Sequence, residues 1–145
     1  MALSRQPFPD PSDGLLLGGV FTGIGGWELA AGDAWESVYT AECDKHARQV
    51  FEANFGEAPC VGDILAAPAS SANFAHVYTV SFPCQSSSQA GKRRGRQDPR
   101  GKIILDKALD LLAHAQPTVV IFENVKGFVS VDHCIELYLT RRVLY

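Results

Sequence analysis

The sequence predicts an α/β fold, a parallel sheet with helices on both faces. Two observations carry the prediction. Short apolar strands alternate with segments of helical periodicity, the order that builds such a sheet. A polar or glycine-rich motif also follows each predicted strand: F-T-G-I-G-G, A-E-C-D, G-D-I, F-P-C-Q and E-N-V, in chain order. Open α/β sheets bind ligands at that position, beyond the carboxyl ends of their strands.

The elements follow in order. Residues 1–13, with Pro7, Pro9 and Pro11, read as a flexible leader, and residues 14–145 as the domain. Leu15 to Phe21 is an apolar strand that ends in a glycine turn. A helix starts at Trp27. Ser37 to Ala41 reads as a second strand, and Asp44 as the N-cap of a helix through Phe55. Pro59 to Val61 is a third, short strand before G-D-I. His76 to Phe82 is a strand that stops at Pro83. Lys102 to Ala115 repeats apolar residues at 104, 105, 108, 109, 111 and 112, one face of a helix. Thr118 to Phe122 is a strand of buried type.

Composition narrows the classes. A length of 145 residues fits one domain. With 46% apolar and 20% charged residues, disorder, collagen and coiled coil are excluded. No apolar run nears the roughly 20 residues that cross a bilayer, so no membrane partner is expected. The acidic, Pro-rich leader lacks the basic flank and cleavage site of a secretory signal. An intracellular location is therefore expected, in the cytoplasm or nucleoid, or in a nucleus. Cys43, Cys60, Cys84 and Cys134 are widely spaced, with no C-x-x-C pair. His133-Cys134 stands alone, so neither a disulfide scaffold nor a metal is expected.

Charge is uneven. Residues 92–102, K-R-R-G-R-Q-D-P-R-G-K, hold six basic groups and one acid, a local +5. The rest holds seven basic and fifteen acidic groups, or −8. A basic, Gly-containing loop suits a nucleic-acid backbone through counterion release; equally, it is a loop kept soluble by its charges.

Each strand-end motif has a chemical and a structural reading. The glycine turn Phe21-Thr22-Gly23-Ile24-Gly25-Gly26 allows close approach of a ligand, or merely tight packing. Glu42, about 20 residues on, stands where an acid binds ribose hydroxyls in nucleoside-binding sheets. Asp63 is placed to accept from an adenine amino group. Taken singly, either acid also fits a helix cap or a surface carboxylate. Cys84 follows a proline at a strand end, beside Lys92, Arg93 and Arg94, where positive charge favours thiolate. A small buried hydrophobe is the alternative. Glu123 lies just beyond an apolar strand, where desolvation would raise its pKa and let it exchange a proton, or where it caps or pairs. A zinc deaminase is excluded, because P-C-Q-S-S lacks the second cysteine and no H-x-E is present.

Together these residues resemble the amino-terminal part of a cytosine-5 DNA methyltransferase, from about residue 15 to 130. Phe21 to Gly26 is similar to that family's cofactor motif, Glu42 to its ribose-binding acid and Asp63-Ile64 to its adenine-contacting pair. Phe82-Pro83-Cys84-Gln85 resembles the nucleophile motif. Asp98-Pro99-Arg100-Gly101 resembles the end of the mobile catalytic loop, and Glu123-Asn124-Val125 the acid motif. The resemblance implies a Rossmann-like S-adenosylmethionine-dependent methyltransferase sheet, here truncated, double-stranded DNA as substrate and a role in restriction-modification. It implies cofactor contacts at Phe21, Gly23, Ile24, Gly26, Glu42, Cys43, Asp63, Ile64 and Pro83. Cys84 would add to carbon 6 of a flipped cytosine while Glu123 neutralises charge at N3. Carbon 5 would then take the methyl group, and loss of its proton would expel Cys84. Gln85, Ser88, Lys92, Arg100 and Asn124 would contact DNA or close the loop.

Three positions depart from the pattern. Cys43 stands where many relatives carry a larger residue, Ser81 where a glycine often precedes F-P-C, and Ser87 in place of an aromatic. The family continues past E-N-V with a Gln-x-Arg-x-Arg strand, a target-recognition domain and a last cofactor motif. Nothing in the final 20 residues matches them. The expectation is therefore a fragment, or one subunit of a split enzyme whose recognition domain sits on a second chain. An inactive remnant that binds S-adenosylmethionine or a partner, and a tRNA cytosine-5 methyltransferase, are the alternatives. An incomplete sheet is also expected to expose an apolar edge and associate.

Overall fold

Four strands pair in parallel in the order β2-β1-β3-β4, with β1 at Leu15–Val20, β2 at Trp35–Ala41, β3 at Val77–Val80 and β4 at Val119–Phe122. Parallel neighbours need a crossover, and three helices supply it: α1 (Gly26–Ala31), α2 (Lys45–Phe55) and α3 (Pro99–Ala115). The chain runs outward from β1 to β2, then returns across β1 to β3. That reversal creates a switch point between β1 and β3, where the loops leave in opposite directions and open a crevice. The computed structural model describes residues 14–81, Pro83 and residues 99–125. The leader, Phe82, residues 84–98 with Cys84, Gln85, Ser88 and Lys92, and His133-Cys134 lie outside the described residues. Among the described residues no helix is long and apolar enough to cross a membrane.

The core explains why the strands read as apolar runs. Every residue of β3 is buried, as a strand covered on both faces must be. Tyr78 is fully enclosed, 6.0 Å from the Tyr39 ring between centroids, and its hydroxyl donates to the Asn73 carbonyl at 2.7 Å. Gly18 makes room for it, since a Cβ there would collide with the Tyr78 ring. From α3, Ala108, Leu111, Leu112 and Ala115 join Val20, Ala41 and Val80 in one cluster. Positions 108, 111 and 112 belong to the predicted apolar face, and Ala115 extends it by one turn. His76 fastens the opposite edge of the sheet: its Nδ1 accepts from Leu16 N at 2.8 Å, and its carbonyl accepts from Val119 N at 3.0 Å.

Two expectations are corrected. The third strand is only an isolated bridge, Thr40 to Cys60. Thr40 N donates to Pro59 O, and Val61 N to Thr40 O. Pro59 has no N–H to extend a ladder, and Gly62, at φ +68°, turns the chain away. The last helix begins at Pro99, three residues before Lys102, because proline suits the first helical position, where an N–H has no partner anyway. Arg100 therefore lies in the first turn of α3 and not in a loop.

Candidate functional site

The carboxyl ends of the four strands finish level. Val20 is in register with Ala41 on one side and Val80 on the other, and Val80 with Phe122. The ladder continues one residue further: Phe21 N donates to Ala41 O at 2.7 Å, Ser81 N to Val20 O at 3.2 Å and Glu123 N to Val80 O at 3.0 Å. The residues that leave the sheet therefore stand in a row, Glu42, Phe21, Ser81, Glu123. Two predicted carboxylates flank the switch point.

Glu42 joins the first two loops. Its Oε2 accepts from Gly23 N at 2.9 Å and its Oε1 from Asp44 N at 2.8 Å. The β2–α2 turn that carries it is braced twice. Arg48 Nη1 donates to the carbonyls of Glu42, at 2.7 Å, and Cys43, at 3.0 Å. Asp44 Oδ1 caps α2 by accepting from His46 N and Ala47 N, and these amide bonds hold its carboxyl below the usual aspartate value. The sequence anticipated the cap but not Arg48, whose only signal is its position one turn beyond Asp44.

The glycine turn is bent to meet this acid. Phe21, at φ +63°, carries a side chain in the left-handed region, a conformation that clusters at functional sites. Gly25, at φ +93°, lies against Phe55, which a Cβ there would strike. At Gly23 and Gly26 an added Cβ would meet nothing within 4 Å, so the backbone of the turn borders open space. Ile24 is exposed on the same turn.

The remaining predicted residues divide. Asp63 is exposed and its Oδ1 accepts from Leu65 N at 2.9 Å, whereas Ile64 is buried in the core cluster with Ala41. Cys43 is an exposed free thiol, and Pro83 is exposed beyond the end of β3. Asn124 Oδ1 accepts from Val125 N at 2.9 Å. Glu123 departs from expectation: it is exposed rather than desolvated, because β4 has no outer neighbour among the described residues. Among the described residues no group of three or more His, Cys, Asp or Glu is placed to hold a metal. Sequence reasoning also missed Trp27, whose indole Nε1 donates to Ser81 Oγ at 3.0 Å.

A parallel sheet with a switch point, a glycine turn after β1 and an acid after β2 fastened to that turn form the frame of a Rossmann-like methyltransferase. Solved structures agree on the fold. The S. pombe Dnmt2 methyltransferase superposes with a TM-score of 0.67 at 24% identity, over 88% of this chain and 41% of that one. The Entamoeba histolytica methyltransferase EhMeth gives 0.59 at 16% identity, over 88% and 43%. The chain belongs to the C-5 cytosine-specific DNA methylase family, whose model matches residues 18–140. Type II methyltransferase M.HhaI of Haemophilus parahaemolyticus is 40% identical over 121 residues, 83% of this chain and 36% of that protein. M.DsaV of Dactylococcopsis salina is 39% identical over 109 residues, 74% and 30%. The chain thus spans about a third of the length of these relatives.

Proposed function

We propose that the chain carries the cofactor-binding and catalytic parts of a DNA cytosine-5 methyltransferase. The observation that supports this most is the level row at the sheet's edge. It sets the predicted ribose-binding acid, Glu42, and the predicted reacting acid, Glu123, on either side of the switch point, with the strand leading to Cys84 between them.

The residues present suit S-adenosylmethionine. Glu42 has two carboxylate oxygens, each accepting one backbone N–H, and each keeps a free lone pair for a ribose hydroxyl. The open backbone at Gly23 and Gly26 leaves room for a ligand to approach the turn closely. When bound, the cofactor supplies an electrophilic methyl group.

The protein's own groups do the rest. A cytosine cannot be attacked while stacked, so it is flipped out of the duplex. The Cys84 thiolate forms a bond to carbon 6, and Glu123 neutralises the charge that this addition places on N3. Carbon 5 becomes nucleophilic and is methylated. Loss of its proton to water leaves the electron pair that re-forms the carbon 5–carbon 6 double bond, breaks the bond to Cys84 and frees the thiolate. A soft thiolate suits both roles, nucleophile and leaving group. Gln85, Ser88, Lys92, Arg100 and Asn124 contact the DNA or close over the base, and a recognition domain on a second chain belongs to the same proposal.

Covalent trapping tests this reading. The chain is incubated with S-adenosylmethionine and duplex DNA containing 5-fluorocytosine, where fluorine blocks the elimination that frees Cys84. A denaturation-resistant adduct that Cys84→Ser abolishes is the expected result. A tRNA substrate run in parallel separates the two polymers. No adduct on either, even with a family recognition domain added in trans, overturns the proposal.

A further inference from the structure

Glu28 stands in the first turn of α1 with its carboxyl against the sheet, where Oε1 lies 3.5 Å from the Cβ position of Gly19. Only 7% of Glu28 is exposed, and neither of its carboxyl oxygens has a hydrogen-bond partner. The hydroxyl of Ser37, on the facing strand β2, stands close to this carboxyl and is likewise buried without a hydrogen bond of good geometry. Buried carboxyl groups are otherwise paired, because an isolated one is costly to desolvate. Glu28 also lines a cavity of about 430 Å³. Leu17, Leu29, Trp35 and Phe55 provide its apolar and aromatic walls, and Ser37 and Asp33 further polar groups. Leu17 and Ser37 lie in the first halves of β1 and β2, and Asp33 in the turn between α1 and β2. The cavity therefore reaches toward the amino ends of β1 and β2, while Phe55 in its wall also lies against Gly25 of the glycine turn, and nothing in the proposed reaction uses it.

Its chemistry is one-sided. Two carboxylates and no Lys, Arg or His line it. Two carboxylates fall short of a metal set, and no larger cluster is present among the described residues. Aromatic walls around an acid favour an organic cation, whose charge is drawn to both and whose stem fills the apolar space. We propose that this cavity binds a small organic cation, an alkylammonium or alkylguanidinium, whose charged head pairs with Glu28 and whose stem lies among Leu29, Trp35 and Phe55.

Calorimetric titration of the 145-residue chain with n-butylammonium and agmatine tests it, with n-butanol as the neutral counterpart at matched ionic strength. Saturable binding of the cations is expected, with n-butanol weaker by about tenfold or more. Glu28→Gln keeps the shape and removes the charge, and is expected to weaken cation binding by about tenfold or more. Leu29 is 76% exposed, so Leu29→Lys is expected to leave folding intact while tethering an ammonium at the cavity wall. It is expected to abolish binding even where Glu28→Gln fails to fold. A capped lysine peptide separates the two sources of such a cation: competition with butylammonium marks a cavity that accepts a basic side chain, and exclusion marks one for free amines. Cations that bind no better than n-butanol, or binding that survives Leu29→Lys, overturn the proposal.

Discussion

The indole nitrogen of Trp27 donates to the hydroxyl of Ser81 at 3.0 Å, joining the first turn of α1 to the residue that leaves β3. Ser81 is also held from its main chain, because its N–H donates to Val20 O. The glycine turn, the helix that follows it and the strand leading to Pro83 and Cys84 are thus joined at one residue. A glycine at position 81 would keep the main-chain bond and lose the side-chain one.

Ser81→Ala leaves the half-buried indole N–H without its acceptor. Stability is expected to fall by about 1 kcal/mol, read from urea unfolding. A double-mutant cycle with Trp27→Phe is expected to show a coupling of about 0.5 kcal/mol or more. Strict additivity of the two substitutions would mean that the contact holds nothing together.

Glu42→Gln keeps the side chain's size and gives it a single accepting atom. One of the two amides, Gly23 N or Asp44 N, must then lose its partner. Calorimetry is expected to show S-adenosylmethionine affinity reduced by about tenfold or more, with a stability loss of about 1 kcal/mol. An unchanged affinity would remove Glu42 from the cofactor site.

Two carboxyl groups give stability opposite dependences on pH. Burial raises Glu28 above the ordinary value of 4.5, so the folded state holds this proton more tightly than the unfolded chain. Its contribution is full below pH 4.5 and declines as pH rises through the raised value. Amide bonds from Ala47 and His46 lower Asp44 from 3.8, so its contribution is present above pH 3.8 and is lost as pH falls through the lowered value. Unfolding measured across this range is expected to show Glu28→Gln gaining on the wild type as pH rises. Asp44→Ala is expected to trail it at neutral pH and converge with it in acid.

Strand β4 leaves its outer edge without a neighbour among the described residues, with Val119 and Ile121 exposed at 40% and 38%. Such an edge is a template for pairing with another chain. Sedimentation is expected to show self-association that grows with concentration and that Ile121→Lys suppresses. A monodisperse wild-type monomer at high concentration would contradict it.

The sequence foretold the elements whose signals are local. Asp44 as a cap, the apolar face of α3 and the positions of the four strands each follow from side-chain type and spacing. The short strand at Pro59 did not form, because three residues bounded by a proline and a left-handed glycine offer too little ladder. The Glu42–Gly23 bond was foreshadowed only as two separate motifs, since their 19-residue separation is closed by strand pairing. Glu28 gave no signal, because an acid in the first turn of a helix usually faces water and favours the helix dipole. Its burial comes from the packing of α1 against the sheet, with Gly19 of β1 and Ser37 of β2 beside it, a tertiary fact. Glu123 was placed correctly after β4, but its exposure depends on which strand covers that edge.

Because the four strands end level, the span between Glu42 and Glu123 is set by counting strands. Three spacings of about 4.8 Å place their backbones about 14 Å apart. Loop insertions on either side can change what reaches into that interval but not its width. On the proposed reading, a donor held at Glu42 and a base held at Glu123 would be kept at a fixed gauge, with reach adjusted by what lies between them.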